Sequence, residues 1–188
     1  MRKYGRCGRR LSGQPKRSTT ICVAIEMIGM TDQPSVRRIY LDSNAFIYAV
    51  EGVDEISNQL HSLFAALAQR GLPACTSELT LAEVLPKANV VQRRSYFTLI
   101  LHSGLFDLLP VTREVLIETA DYRKHLVRPS FEAQGVMPKL PDAVHVVTAI
   151  RAECSTFVSL DRGLKLPVGM DRVGREEGQL ARLVQEIS

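Results

Sequence analysis

Four carboxylates are placed where they could do chemistry: Asp42, Glu83, Asp142 and Asp161. Asp42 closes the apolar run Ile39-Tyr40-Leu41, and Asp161 closes "FVSL". Asp142 follows Pro141 at a helix start, and Glu83 lies inside the run "LTLAEVL". Each has an ordinary structural reading. Asp42 and Asp142 are of a type preferred as helix caps, and Asp161 precedes Arg162-Gly163, a common turn sequence. Glu83 resists that treatment, because an ionised glutamate among Leu81, Ala82, Val84 and Leu85 needs a partner. Its neighbour Glu78 falls in a first helical turn, where the helix dipole favours a negative charge, and needs no further role. Gathered at one sheet edge, the four acids would repel by roughly 4 kcal/mol per pair at about 4 Å and an effective dielectric of about 20. Such a set must protonate or bind a cation. Oxygen-only ligands suit the hard ions Mg²⁺ or Mn²⁺. A site of that kind polarises a phosphodiester, lowers the pKa of bound water and steadies the leaving oxygen.

The elements that must position these acids alternate along the chain. A short strand at residues 38–41 leads to a helical region clearest at 55–69, where Ile56, Leu60, Leu63, Phe64 and Leu67 share one face and Gly71 ends the run. A strand at Ala74 to Thr76 precedes a helix capped by Ser77 and stopped by Pro86. A helix near 90–103 ends at Gly104, "LFDLLPV" reads as a third strand, and Thr112 caps a helix to about Leu126. Residues 129–141 read as a loop. A helix opened by Pro141 and Asp142 follows, then the strand "TFVSL" at 156–160 and a terminal helix at 176–187. This alternation predicts an α/β protein with a mostly parallel sheet covered on both faces. In such sheets ligands collect at the carboxyl ends of the strands, around the point where strand order reverses.

With 188 residues and 45% apolar content the chain can bury one full core. Its net charge of +4 is unevenly spread: the first 38 residues carry +7 and the remainder −3. The basic balance therefore belongs to the N-terminal segment, and the globular part is slightly acidic. Residues 1–36 read as a basic extension, either disordered or arising from a start codon placed too early, with Met27 and Met30 as alternative starts. Residues 37–188 form the folded domain. The basic stretch before "ICVAIEMIGM" resembles a signal peptide, but Glu26 interrupts the apolar run and no small-residue cleavage site follows. No segment approaches the roughly 18–20 apolar residues of a membrane span. Cys7, Cys22, Cys75 and Cys154 form neither a zinc pattern nor a disulfide framework, which fits a reducing cytoplasm.

The order of the acidic motifs supports a resemblance. "YLDSNAFIY", "TSELTLAEVL", "LPDAVHVVTAI" and "FVSLDRGL" resemble the successive motifs of the PIN-domain nucleases, most closely the VapC-type toxins of bacterial toxin–antitoxin pairs. The resemblance covers about residues 38–170. It implies a three-layer α/β fold with a central parallel sheet flanked by helices, Mg²⁺-dependent endoribonuclease activity on RNA, a homodimer, and inhibition by a cognate antitoxin protein. It also implies that Asp42, Glu83, Asp142 and Asp161 are the metal-binding and catalytic acids. Asn44 and Ser159 each lie two residues from a motif aspartate, where they could hold hydrogen bonds to it or simply start a helix and end a strand. His145 shares a helical face with Asp142, and reads more readily as a packed or hydrogen-bonded histidine than as a proton carrier. Arg93, Arg94, Arg123, Lys124 and Arg128 are candidates for an RNA path or an ordinary solvated surface. Three rival readings stand beside the toxin: an RNA-processing PIN nuclease, a haloacid-dehalogenase-type phosphotransferase, and a catalytically idle RNA-binding module. The phosphotransferase normally needs a second acid where this chain has Asn44.

Overall fold

A computed structural model describes residues 38–72, 74–126 and 137–188. All of them fall in one compact unit, Val36–Ser188. The basic extension at 1–36 and Arg128 lie outside the described residues, as does most of the expected loop at 129–141.

Strand β1 (Ile39–Leu41) runs into helix α1 (Ser43–Glu51), which breaks at Gly52 before α2 (Glu55–Arg70). The helical region expected after the first strand, clearest at 55–69, is thus two helices. Gly71 ends α2 in the left-handed conformation, φ 61°, a geometry that costs an L side chain about 1 kcal/mol. Gly71→Ala should therefore destabilise the protein by about that amount in urea unfolding, with the site unaffected.

Strand β2 (Ala74–Ser77) leads into α3 (Leu79–Val84), whose first turn is tied by the Leu79 N–H donating to Ser77 Oγ at 3.2 Å. Pro86 follows the helix end, as its missing N–H requires. Helix α4 (Val90–Tyr96) is opened by a reciprocal Asn89–Gln92 capping box and runs on into a π-helical turn, Phe97–His102. Strand β3 (Phe106–Leu109), α5 (Arg113–Leu126), α6 (Leu140–Arg151) and β4 (Thr156–Val158) follow. The chain closes with β5 (Asp171–Val173) and α7 (Gln179–Ile187). The sequence reading did not anticipate β5. Three residues, one exposed and two half-buried, with no apolar run leave no periodic signal.

The five strands are all parallel, in the order β3-β2-β1-β4-β5. Alternation along β1 and β4 supplies two faces. Ile39, Leu41 and Val158 point into the larger core with Phe46, Leu60, Phe64, Phe106 and Leu180. Tyr40 and Phe157 point the other way, against Val146 and Ala149 of α6, and their rings stack at 4.9 Å. Helices α5 and α6 cover this second face, so the protein is a three-layer α/β sandwich. The chain builds outward from β1 to β3 and then returns to the other side of β1 for β4. The reversal lies between β1 and β4, and the crevice beyond their carboxyl ends is where such a sheet presents a ligand site.

Candidate active site

Asp42 and Asp161 come from the two strands that flank this crevice. Asp42 follows β1 directly, and its backbone N–H donates to the carbonyl of Val158 at the end of β4, 3.1 Å away. Its side chain also caps α1, Oδ1 accepting from the Ala45 N–H at 3.2 Å. The capping and ligand readings of Asp42 are therefore compatible. The carboxyl is 7% exposed and its pKa is pushed up to about 6. Burial is the dominant cause. It outweighs the hydrogen bond from Ser159, the nearby His145 and the backbone N–H groups of Ala45 and Asn44. Ser159 is fully buried and hydrogen-bonds to this aspartate. Asn44 reaches Asp42 through its backbone rather than its side chain.

Glu83 arrives by a different route. Thr76 of β2 donates to the carbonyl of Leu41 at 2.9 Å and meets Thr80 of α3 at 2.8 Å. These buried hydroxyls fasten the start of α3 to the end of β1. Glu83, three residues after Thr80 and on the same helical side, is thereby aimed at the crevice. Among the described residues no arginine is tied to it. Its Oε2 lies 2.8 Å from His145 Nε2 and accepts a hydrogen bond from Ser43 Oγ. Burial raises the Glu83 carboxyl, but the bonds from His145 and Ser43 and the charge of His145 together bring it below the usual value.

His145 is the group the sequence reading undervalued. It is 3% exposed on α6, with Nδ1 2.8 Å from the Tyr40 hydroxyl and Nε2 3.0 Å from Ser43 Oγ. A ring that donates from Nε2 to Glu83 accepts from Tyr40 at Nδ1, so one tautomer satisfies both contacts. The packed, hydrogen-bonded reading of this histidine holds, yet it stands electrostatically beside Asp42, Glu83 and Asp142 at once. Ser43, in the "DSN" of the first motif, was missed altogether. Its position one residue after Asp42, on the first turn of α1, was the only signal available.

Asp142 occupies the first turn of α6, two residues past the start, where Lys139 rather than the aspartate holds the cap position. Its carboxyl is raised by burial first, and further by the charges of Asp161 and Glu83, against the opposing pull of Lys139 and His145. Asp161 forms the expected turn, Oδ1 accepting from the Gly163 N–H at 2.7 Å, and shares a cavity with Asp142. The fold thus brings Glu83 and Asp161 each within electrostatic reach of Asp142, and His145 stands beside Asp42, Glu83 and Asp142. Among the described residues no three His, Cys, Asp or Glu side chains converge into a ready-made metal cage. The reason is legible in the bonds: Asp42 leans on its cap, Glu83 on His145, and Asp161 on its own turn. The donor set nevertheless fits a hard divalent cation. All four are carboxylates, Asp42 is held protonation-prone by burial and Asp142 by burial and the charges of Asp161 and Glu83, and a cation is the partner that would relieve both.

The proposed cationic path fares less evenly. Arg93 donates to the Leu85 carbonyl at 3.2 Å and lies over the Phe97 ring, and Arg123 donates from Nε to the Pro138 carbonyl at 2.9 Å.

Comparison with known proteins is consistent with this arrangement. Residues 39–167 match the family model described as PIN domain. The chain belongs to the PIN-domain family. Two solved structures share the fold of this PIN domain. VapBC2 from Rickettsia felis, bound to a DNA fragment from its promoter, aligns with a TM-score of 0.54 at 17% identity, over 71% of this chain and 96% of that one. Mycobacterium tuberculosis VapC20, described as a sarcin-ricin loop cleaving toxin, aligns with a TM-score of 0.52 at 13% identity, over 67% and 92% respectively. No curated protein sequence matches significantly. Among the described residues no helix is long and apolar enough to cross a membrane.

Proposed function

We propose that this PIN domain is a divalent-metal-dependent endoribonuclease and the toxin of a type II toxin–antitoxin pair, acting in the cytoplasm as a homodimer restrained by a cognate antitoxin. The observation that carries the reading is the placement of four acids around the β1–β4 reversal, with His145 buried among them. Family membership supports a nuclease, and the likeness of fold to VapBC2 and VapC20 supports the toxin role.

In this reading Asp42, Glu83, Asp142 and Asp161 hold Mg²⁺ or Mn²⁺. An ion held there would supply an activated water and charge stabilisation at the phosphodiester. The chain's own residues hold these acids in place. Ser159 and the α1 N-terminus orient Asp42, and Ser43 and His145 keep Glu83 ionised and directed. Burial of Asp42 excludes water from one side of the site, so that charge placed there acts in a low dielectric.

Purified protein should cut a single-stranded RNA in Mg²⁺ or Mn²⁺ and lose that activity in EDTA. Glu83→Gln should lower the cleavage rate by roughly 10²–10³-fold. A parent protein inactive on RNA in both ions, with no stabilisation by either in thermal melts, would overturn the reading.

A further inference from the structure

Beside the acids lies a cavity of about 400 Å³, bounded by the segment entering α6 and by the loop after β4. Asp142 and Asp161 form its catalytic edge. Its floor is apolar, made by Ala143 and Val146 of α6 together with Leu164, while Lys139 and Lys165 stand exposed at its rim. The two walls are fastened from behind by consecutive residues of α5. The Tyr122 hydroxyl donates to the carbonyl of Lys165 at 3.0 Å, and Arg123 Nε donates to the carbonyl of Pro138 at 2.9 Å. Two adjacent side chains on one helix thus set the width of the opening. The size lies within the range of small-ligand sites. An apolar floor between two cations suits a flat, uncharged ring flanked by phosphates.

Resting on the nuclease reading above, we infer that this cavity is a substrate subsite that takes one unstacked nucleobase of a single-stranded RNA next to the scissile phosphodiester. Lys139 and Lys165 grip the flanking phosphates, and Tyr122 and Arg123 are positioning residues that hold the two walls. A base inside a duplex remains stacked and cannot enter, so the subsite selects single strands, loops and bulges.

The test separates binding from cleavage. A fluorescein-labelled RNA octamer is titrated by anisotropy in EDTA, as a single strand and annealed to its complement. The parent should prefer the single strand. Lys139→Ala/Lys165→Ala should weaken single-strand binding about tenfold and reduce the slope of log K against log salt by about 1.4, the value for two phosphate contacts. In Mg²⁺ the same variant should raise KM, and Tyr122→Phe should raise KM to a smaller degree. Unchanged affinity and salt slope in the double-lysine variant, or equal affinity for duplex, would overturn the subsite. A parent that binds RNA in this lysine-dependent way but cuts nothing in either metal would sink the nuclease reading and leave the subsite standing.

Discussion

Asp42→Asn should raise the stability of the protein at neutral pH while lowering RNA cleavage by roughly 10²–10³-fold. The stability gain follows from the carboxyl's environment. Its pKa in the folded protein is about 6, against 3.8 for the unperturbed group, with burial as the main cause. A raised carboxyl pKa means that the folded state binds the proton more tightly than the unfolded chain does. The contribution of Asp42 to stability is thus fully present below about pH 4 and is lost as pH rises through about 6. A shift of about two units corresponds to roughly 3 kcal/mol of buried-charge cost at pH 7.5. Asparagine removes that cost. Its side-chain oxygen can still accept the Ala45 N–H that caps α1, and its amide can donate to the Ser159 hydroxyl. Urea unfolding in EDTA at pH 5 and pH 7.5 checks the sign: the parent loses stability over this interval from this group, and the variant does not. Mg²⁺ should raise the melting temperature of the parent and leave the variant unmoved. A variant less stable than the parent at pH 7.5 would show that the buried charge is already compensated.

The second large effect is expected at His145. His145→Ala removes the partner of Glu83 Oε2 and of the Tyr40 hydroxyl, two contacts at 2.8 Å, and opens a void beside the fully buried Tyr40 ring. Buried polar groups left without a partner cost about 1–3 kcal/mol each. With the lost packing included, destabilisation should reach roughly 2–4 kcal/mol by urea unfolding. Tyr40→Phe deletes one side of the same network and should cost nearer 1 kcal/mol. Glu83, deprived of the hydrogen bond that directs it into the crevice, should be held less well for a cation, so the Mg²⁺ concentration needed for half-maximal thermal stabilisation should rise. Stability within about 0.5 kcal/mol of the parent would show that His145 is only a space-filling residue.

These two residues show where sequence reasoning stopped. Asp42 was visible because a buried apolar run ending on an acid is anomalous within a few residues of chain. His145 was visible only as a helical neighbour of Asp142. Its partners Tyr40, Ser43 and Glu83 are 105, 102 and 62 residues away in sequence. No local pattern records a network spread over β1, α1, α3 and α6. The same limit explains Ser43, a small polar residue at an ordinary helix start.

What the sequence by itself determined is the parallel α/β class, the stops at Gly71 and Pro86, the Thr112 cap and the four acids in family order, because each is written in periodicity or in the conformational limits of single residues. Tertiary structure alone decided the strand order that puts Asp42 and Asp161 across one crevice, the fifth strand, and the division of labour among the acids. Those depend on which buried donor each carboxylate reaches, and hydrogen bonds at about 3 Å are set by packing between elements distant in the chain.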